Sequence, residues 1–266
     1  MDAIRTRDVS PRVRLVLLSL AFLFAFPAGA RARAVRHLAL PDTPRSVLWI
    51  AAHPDDEAVA APLLGQWCRD EQVRCGFLIV TRGEQGGCAL PNGCAPDIAT
   101  VRASEAAAAS QLFDAELILL TLPDGGGAAP PQWPQAEESI AAYIEAYRPE
   151  LILTFDPRHG TTCHPDHREV GRIVVDAMRN LSYAARLWLL ETRVTITANA
   201  IEFTSATPHA ERFDARASWS YVIEDMRRHP SQFPPELIAL MERVPEEQRA
   251  VFAVAADFAV SVEMCP

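Results

Sequence analysis

The sequence predicts an α/β protein with one open, mostly parallel sheet covered by helices on both faces. Short apolar runs alternate with helix-like segments along the chain, and alternation of this kind requires crossover connections between parallel strands. The runs are apolar throughout, which indicates strands buried on both faces. A hydrophobic fraction of 49% over 266 residues is typical of a folded globular protein and excludes extended disorder.

The elements follow one another in a regular order. Hydrophobic patterning and breakers predict strands at 46–51, 74–81, 116–122 and 151–155. Helices are predicted at 57–69, 100–113, 133–148 and 165–180, with Thr100 as the N-cap of the second. The pattern loosens after 187–197, where we expect one or two further strands and helices near 215–228 and 236–243.

Charge argues against nucleic acid as a partner. The net charge is −9, and all 25 basic residues are arginine, so the chain has no lysine-rich cluster to hold a phosphate backbone. The sequence has no fixed-period repeat, which excludes a solenoid or a propeller.

The first 34 residues have the layout of a secretory signal peptide, followed by one domain over 35–266. An arginine-rich start precedes an apolar stretch at 15–26 and small residues at 28–30. Twelve apolar residues are fewer than the roughly 20 that span a bilayer, although an uncleaved membrane anchor is the alternative. We therefore expect export to the periplasm or beyond the cell, without stable membrane insertion after cleavage.

Export makes disulfides the expected state of the six cysteines. Cys88 and Cys94 flank a short segment with Pro91 and Gly93 and are predicted to pair, while a Cys68–Cys75 bridge is possible. Cys163 and Cys265 are left unassigned. A zinc ribbon is the weaker interpretation, because the sequence contains no CxxC pair.

Two polar clusters follow the first and fourth predicted strands. The first is His53-Pro-Asp-Asp-Glu57, and the second ends in His164-Pro-Asp-His167. In a sheet whose strand order reverses beside the first strand, these two strands are neighbours, and both clusters lie at the same crevice. Imidazole and carboxylate groups suit Zn²⁺, and two histidines with one aspartate leave a position open for water.

Spacing suggests a division of roles within the clusters. His53 and Asp56 are three residues apart across a turn stiffened by proline, so both can face one point while Asp55 is free to act as a base. His164 and His167 repeat this spacing, so that one can bind metal and the other can face the substrate. The alternative is that Asp55 and Asp56 cap a helix, and for Glu57 an interaction with the helix dipole is preferred.

The segments 52–57, 164–167 and 229–232 together resemble the LmbE/PIG-L family of zinc-dependent deacetylases. This family includes the N-acetylglucosaminyl-phosphatidylinositol de-N-acetylase and the deacetylases of mycothiol and bacillithiol synthesis. The resemblance covers about 46–232 and implies a Rossmann-like three-layer sandwich. It also implies one zinc ion per chain and, as small-molecule partner, an N-acetylated sugar or glycoconjugate.

The resemblance also assigns site residues. It makes His53, Asp56 and His167 the metal ligands, Asp55 the general base and a protonated His164 the group that stabilises the oxyanion or protonates the amine. Arg102 and Asp124 correspond to sugar contacts, and His229 with Gln232 to the crevice wall.

Each of the outlying positions also has an ordinary interpretation. Arg102 could be a solvated residue of a first helical turn, and Asp124 a turn former before three glycines. His159 is expected at the rim of the site rather than as a fourth ligand. Thr162 stands where some sugar deacetylases have a tyrosine, which puts substrate specificity in doubt.

The expected reaction is hydrolysis of an N-acetyl group to acetate and a free amine. The alternatives are a metal-dependent hydrolase of another amide or of a phosphodiester, and a binding module without chemistry. The sequence argues against the binding module, because no GxGxxG motif follows the first strand. The sequence predicts no oligomeric state.

Overall fold

A computed structural model describes residues 43–127, 131, 133–256 and 265. The predicted signal peptide, residues 1–34, lies outside this range. Within the described part of the chain, no helix is both long enough and apolar enough to cross a bilayer.

Seven strands form the central sheet, in the order β3-β2-β1-β4-β5-β9-β8. The strands from β3 to β5 are parallel to one another, and β9 is antiparallel to both of its neighbours. The predicted, mostly parallel sheet is therefore confirmed, and β1 and β4 are neighbours. The strands are β1 (Ser46–Ala51), β2 (Arg74–Thr81), β3 (Ala115–Leu122), β4 (Leu151–Phe155), β5 (Arg186–Leu190), β8 (Glu211–Asp214) and β9 (Ala250–Ala255). A separate antiparallel hairpin joins β6 (Thr192–Ile196) to β7 (Ile201–Ser205).

Strand β1 explains why the sheet has a layer on each side. All six of its residues are buried, and their side chains alternate between two hydrophobic clusters. Val47 and Trp49 belong to the first cluster, whereas Leu48 and Ile50 belong to the second. A strand with two apolar faces needs cover on both, which gives the three-layer architecture.

The helices supply this cover. Helices α3 and α5 pack on the second cluster, while α1 and α6 pack on the first. The helices are α1 (Ala61–Leu64), α2 (Ile98–Leu112), α3 (Ala136–Tyr147), α4 (Gly160–Cys163), α5 (Pro165–Met178), α6 (Trp219–Met226) and α7 (Pro235–Glu242).

Two predicted helices differ in detail. The helix expected at 57–69 consists of a 3-10 turn (Asp56–Val59), then α1 and a π-helical segment (Gly65–Asp70). The second helix begins at Ile98, not Thr100, because Asp97 is the N-cap and its carboxylate accepts the Thr100 N–H at 2.9 Å.

The C-terminal third contains more strands than the sequence indicated. The segment 187–197 is divided between β5 and β6, and β7, β8 and β9 follow where one or two strands were expected. Strands β6 to β9 pair antiparallel, and β6, β7 and β8 follow one another without a helix between them, so the regular alternation of strand and helix is lost here.

Three disulfides join the described cysteines in pairs. Cys88–Cys94 is the predicted bridge, and Cys68–Cys75 joins the end of the π-helical segment to the start of β2. Cys163 pairs with Cys265, which connects the residue before His164 to the far end of the chain.

Helix α5 approaches the end of β4 so closely that only glycine fits. A Cβ placed on Gly171 would lie 2.3 Å from the carbonyl oxygen of Phe155, the last residue of β4. The atom in the way belongs to the backbone, so a side-chain rotation cannot relieve the clash. Gly171 therefore sets the position of the helix that carries the second predicted cluster.

We expect Gly171→Ala to lower the free energy of unfolding by about 1–3 kcal/mol, the usual cost of forcing an extra carbon into a packed interior. Urea denaturation would measure it. Arg172→Ala, at the exposed next position of the same helix, is the control and should cost under about 1 kcal/mol. Equal stability of Gly171→Ala and the native protein would contradict this close packing.

Candidate active site

The two polar clusters meet at the carboxyl ends of β1 and β4. The ring centres of His53 and His167 are 5.3 Å apart, and His164 lies 4.9 Å from His53 and 4.8 Å from His167. Residues more than 100 positions apart in the chain thus form one group, as the predicted strand order requires.

Asp56 lies at the centre of this group. One carboxylate oxygen accepts the backbone N–H groups of Ala52 and His53, at 3.0 and 2.8 Å, and the other lies 2.9 Å from Nε2 of His167. Burial would raise the pKa of Asp56, but His167 and His53 outweigh it and hold the pKa well below its usual value. Asp56 is therefore an anion, and it bonds backward to the end of β1 instead of capping a helix.

His167 offers one nitrogen to a ligand. Its Nδ1–H donates to the carbonyl oxygen of Gly160 at 2.9 Å, and its ring stacks on Phe155 with centres 4.2 Å apart. Because Nδ1 donates to this carbonyl oxygen, Nε2 is the nitrogen left for another partner, and it lies 2.9 Å from Asp56.

His53 is surrounded by carboxylates. Its Nε2 lies 3.2 Å from Asp166 and 3.4 Å from Asp124, while its Nδ1 lies 3.7 Å from Asp56. Burial lowers the pKa of His53, but hydrogen bonds with Asp124, Asp166 and Asp56 outweigh it and raise the pKa well above its usual value. Negative charge concentrated here favours a cation.

Asp166 is a site residue that the sequence analysis did not single out. It is fully buried, contacts His53 and accepts the N–H of Gly125 at 2.8 Å. Its position between the two histidines of the second cluster was the available signal.

Asp55 has a strained backbone conformation, and its side chain is held by Arg102. Its φ of 101° lies in the left-handed region, which a non-glycine residue rarely adopts outside constrained sites. Its carboxylate pairs with the Arg102 guanidinium at 2.8 Å and does not cap the helix. Burial raises the pKa of Asp55 to about 6, although Arg102 opposes the shift.

Arg102 is not the solvated residue that the ordinary interpretation supposed, because it is only 4% exposed. Besides Asp55, its guanidinium donates to the carbonyl oxygens of Pro54 and Gly83, which lie just beyond β1 and β2. The structure thus places Arg102 against the residue predicted to be the base.

Asp124 forms the expected turn and also reaches the site. One oxygen accepts the N–H of Gly126 and the other that of Gln85, at 2.9 and 3.0 Å. Burial would raise its pKa, but hydrogen bonds from His53, Gly126 and Gln85 hold the pKa far below the usual value. Asp124 is therefore a turn former whose carboxylate also lies beside His53.

His164 is neutral near neutral pH, which corrects the expectation of a protonated ring. Burial and the neighbouring His167 and His53 lower its pKa to about 4. Its Nδ1 accepts the backbone N–H of Asp166 at 3.2 Å, so the ring proton is on Nε2. His164 can donate one hydrogen bond from Nε2 without carrying charge.

The interaction of Glu57 differs from the predicted contact with the helix dipole. Its carboxylate pairs with His229 at 2.8 Å, and its other oxygen accepts the Asp55 N–H at 3.2 Å. Burial lowers the pKa of His229, but Glu57 outweighs it and raises the pKa to about 9. His229 is therefore a buried cation behind the site, whereas Gln232 lines the crevice.

His159 does not lie at the rim, because it is fully buried. Its Nδ1 accepts the N–H of Thr161 at 3.0 Å, and its Nε2 lies 3.6 Å from Glu191. Its place at the start of α4 makes it part of the support for the second cluster.

Two cavities open from the group. The polar cavity has a volume of about 610 Å³ and the apolar groove one of about 710 Å³, and both volumes include space open to solvent. Asp55, Asp56 and His167 line both. The polar cavity is lined further by His53, Gln85, Gly86, Arg102, Asp124, Gly126, His164 and Gln232.

The donor set fits a divalent metal ion. Ring nitrogens of His53, His164 and His167 lie within 4.8 Å of one another, and Asp56 lies 2.9 Å from Nε2 of His167 and 3.7 Å from Nδ1 of His53, so that imidazoles and a carboxylate are available together. This combination suits zinc at a catalytic site. The other carboxylates at His53 would orient that ring, as second carboxylates commonly do for histidine ligands.

Sequence relatives of the chain are sugar deacetylases. A Bacillus cereus protein described as a probable N-acetyl-alpha-D-glucosaminyl L-malate deacetylase is 29% identical over 59% of this chain and 71% of its own. The 1D-myo-inositol 2-acetamido-2-deoxy-alpha-D-glucopyranoside deacetylase of Kineococcus radiotolerans is 28% identical over 52% of this chain. The match spans only 45% of that relative's length.

Solved structures share the fold. The N,N'-diacetylchitobiose deacetylase of Pyrococcus horikoshii has a TM-score of 0.63 at 15% identity, covering 95% of this chain and 96% of its own. The 4-carboxy-2-hydroxymuconate hydratase GalB of Pseudomonas putida has a TM-score of 0.60 at 13% identity, covering 83% and 99%. The fold alone therefore does not specify the reaction. Residues 48–178 match the family described as GlcNAc-PI de-N-acetylase, PIG-L.

Proposed function

We propose that this protein is an exported, zinc-dependent hydrolase that removes an N-acetyl group from an N-acetylglucosamine-type sugar or glycoconjugate. The observation that carries the proposal is the meeting of His53, Asp56 and His167 with Asp55 beside them. A hydrolytic site needs metal-binding groups, a base and a hydrogen-bond donor for the oxyanion. With the neighbouring His164 as the donor, this cluster contains all three types.

The substrate class rests on the relatives and on the cavity. The family and both sequence relatives are named for the removal of acetyl groups from glucosamine derivatives. Gln85, Asp124 and Gln232 offer polar atoms to the hydroxyl groups of a sugar in the polar cavity. Asp124 thus keeps its proposed role as a substrate contact.

Zinc bound by His53, Asp56 and His167 would supply a water of lowered pKa and polarise the amide carbonyl group. Asp55 is placed to take the proton from the attacking water, because burial has already raised its pKa to about 6. The same carboxyl group can then return the proton to the departing amine nitrogen. The C–N bond breaks, and the products are a carboxylate and a free amine.

His164 would stabilise the developing charge on the carbonyl oxygen. Its Nε2–H is the free donor of a neutral ring, since Nδ1 accepts from the backbone of Asp166. A donor held in place before the reaction stabilises charge that appears only in the transition state. This role replaces the protonated ring expected from the sequence.

Export remains part of the proposal. The cysteine pairs Cys68–Cys75, Cys88–Cys94 and Cys163–Cys265 suit an oxidising compartment, as does the signal-like start. We therefore place the activity in the periplasm or outside the cell.

Asp55→Asn should lower kcat by on the order of 10²-fold or more, because the amide cannot accept the proton from water. Acetate release from an N-acetylglucosamine conjugate would measure it, together with the zinc content of the purified protein. Asp70→Asn makes the same change at an exposed position and should keep full activity. Unaltered turnover of Asp55→Asn with metal bound would exclude Asp55 as the base.

Asp56→Ala should deplete zinc, because the anion between the two imidazoles is lost. We expect the metal content after dialysis to fall to about a tenth or less, in line with the large effect of removing a ligand or its support. Elemental analysis gives the answer without an activity assay, and Asp55→Asn is the matched control that should keep its zinc. A normal zinc content in Asp56→Ala would rule out the proposed ligand set.

Arg102→Met separates two roles. If the guanidinium positions Asp55, the substitution should lower kcat by about tenfold or more and change KM little. If Arg102 instead contacts the sugar, KM should rise while kcat is kept. Steady-state kinetics on one conjugate distinguish these outcomes, and circular dichroism would check that the variant folds.

A further inference from the structure

An apolar groove adjoins the proposed catalytic group and shares Asp55, Asp56 and His167 with the polar cavity. The β6–β7 hairpin forms one wall, where Val194 pairs in register with Phe203. Phe203 packs edge-on against Trp219, with ring centres 5.2 Å apart. The other apolar residues that line the groove are Ala58, Val59, Phe155, Ile196, Ile201, Met226, Phe233, Leu237 and Met241.

The groove is far larger than an acetyl group requires. Its free space, part of which is open to solvent, is about 710 Å³, whereas the acyl part of an acetamide ends in one methyl group. Ile196 is 58% exposed, so the apolar surface continues outward along the hairpin. An apolar surface of this kind next to a reactive centre commonly marks a ligand site.

The position of the catalytic group assigns the two cavities to the two halves of an amide. The reacting carbonyl carbon must lie beside Asp55, Asp56 and His167, which line both cavities. The amine half, a sugar rich in hydroxyl groups, suits the polar cavity. The substituent on the carbonyl carbon then leads into the groove, whose walls are almost entirely apolar.

We propose that this groove holds the acyl chain of the substrate, so that the preferred substrate is an N-acylated amino sugar with an alkyl chain of medium length, longer than acetyl. The proposal rests on the proposed amide hydrolysis and adds the identity of the group removed. The reaction balances as amide plus water giving a fatty acid carboxylate and a free amino sugar.

The test compares the binding of three compounds to the full chain carrying Asp55→Asn, which slows turnover. N-Acetylglucosamine has no chain, N-octanoylglucosamine has the chain on the acyl side, and octyl N-acetylglucosaminide has the same chain on the glycosidic oxygen. Calorimetry should show N-octanoylglucosamine binding about a hundredfold or more tightly than N-acetylglucosamine, since each buried methylene contributes a factor of about three to four. The octyl glycoside should gain much less.

A substitution in the groove wall tests whether the groove is responsible for the tighter binding of N-octanoylglucosamine. Val194→Asp, made in the same background, places a carboxylate in the groove and should remove most of the advantage of N-octanoylglucosamine. Thr195→Asp adds the same charge on the opposite, exposed face of β6 and should retain it. Thermal unfolding of both variants would establish that they are folded.

Several results would overturn the proposal. Equal binding of N-octanoylglucosamine and N-acetylglucosamine would do so, as would a larger gain for the octyl glycoside, which would assign the groove to an aglycone. A gain that persists in folded Val194→Asp would place the chain elsewhere. These binding results are separate from the test of the proposed function. That function would be refuted if the native protein failed to hydrolyse N-acyl substrates.

Discussion

The buried carboxylate of Asp56 is the constraint on which the site depends. A charge removed from water is stable only when polar partners surround it, and Asp56 has two backbone N–H donors on one oxygen and Nε2 of His167 at 2.9 Å from the other. Those partners belong to the end of β1 and to α5, so the anion fixes the distance between two segments distant in sequence.

The two clusters support each other in a crossed arrangement. The acid of the first cluster, Asp56, faces His167 of the second, while Asp166 of the second contacts His53 of the first. Each imidazole is therefore oriented by a carboxylate from the other segment. The segments at the ends of two neighbouring parallel strands are thus joined by two contacts of the same kind.

A further set of interactions holds the strained turn at Asp55. Arg102 pairs with its side chain from α2, and Glu57, itself bonded to His229, accepts its backbone N–H. Strain at a functional residue persists only where the surroundings over-determine it, and here they include a buried ion pair on either side. The outcome is a carboxyl group aimed at both the polar cavity and the apolar groove.

The sequence by itself determined the parallel core, the adjacency of β1 and β4 and the two clusters, because continuous apolar runs and proline-containing turns are local patterns. It could not reveal that Arg102 is buried against Asp55, that His164 is neutral, or that His159 and His229 lie inside, because burial and pKa depend on neighbours from distant segments. The antiparallel strands β8 and β9 and the hairpin wall of the groove were likewise decided only by tertiary packing, since their partners leave no periodic signal in the chain.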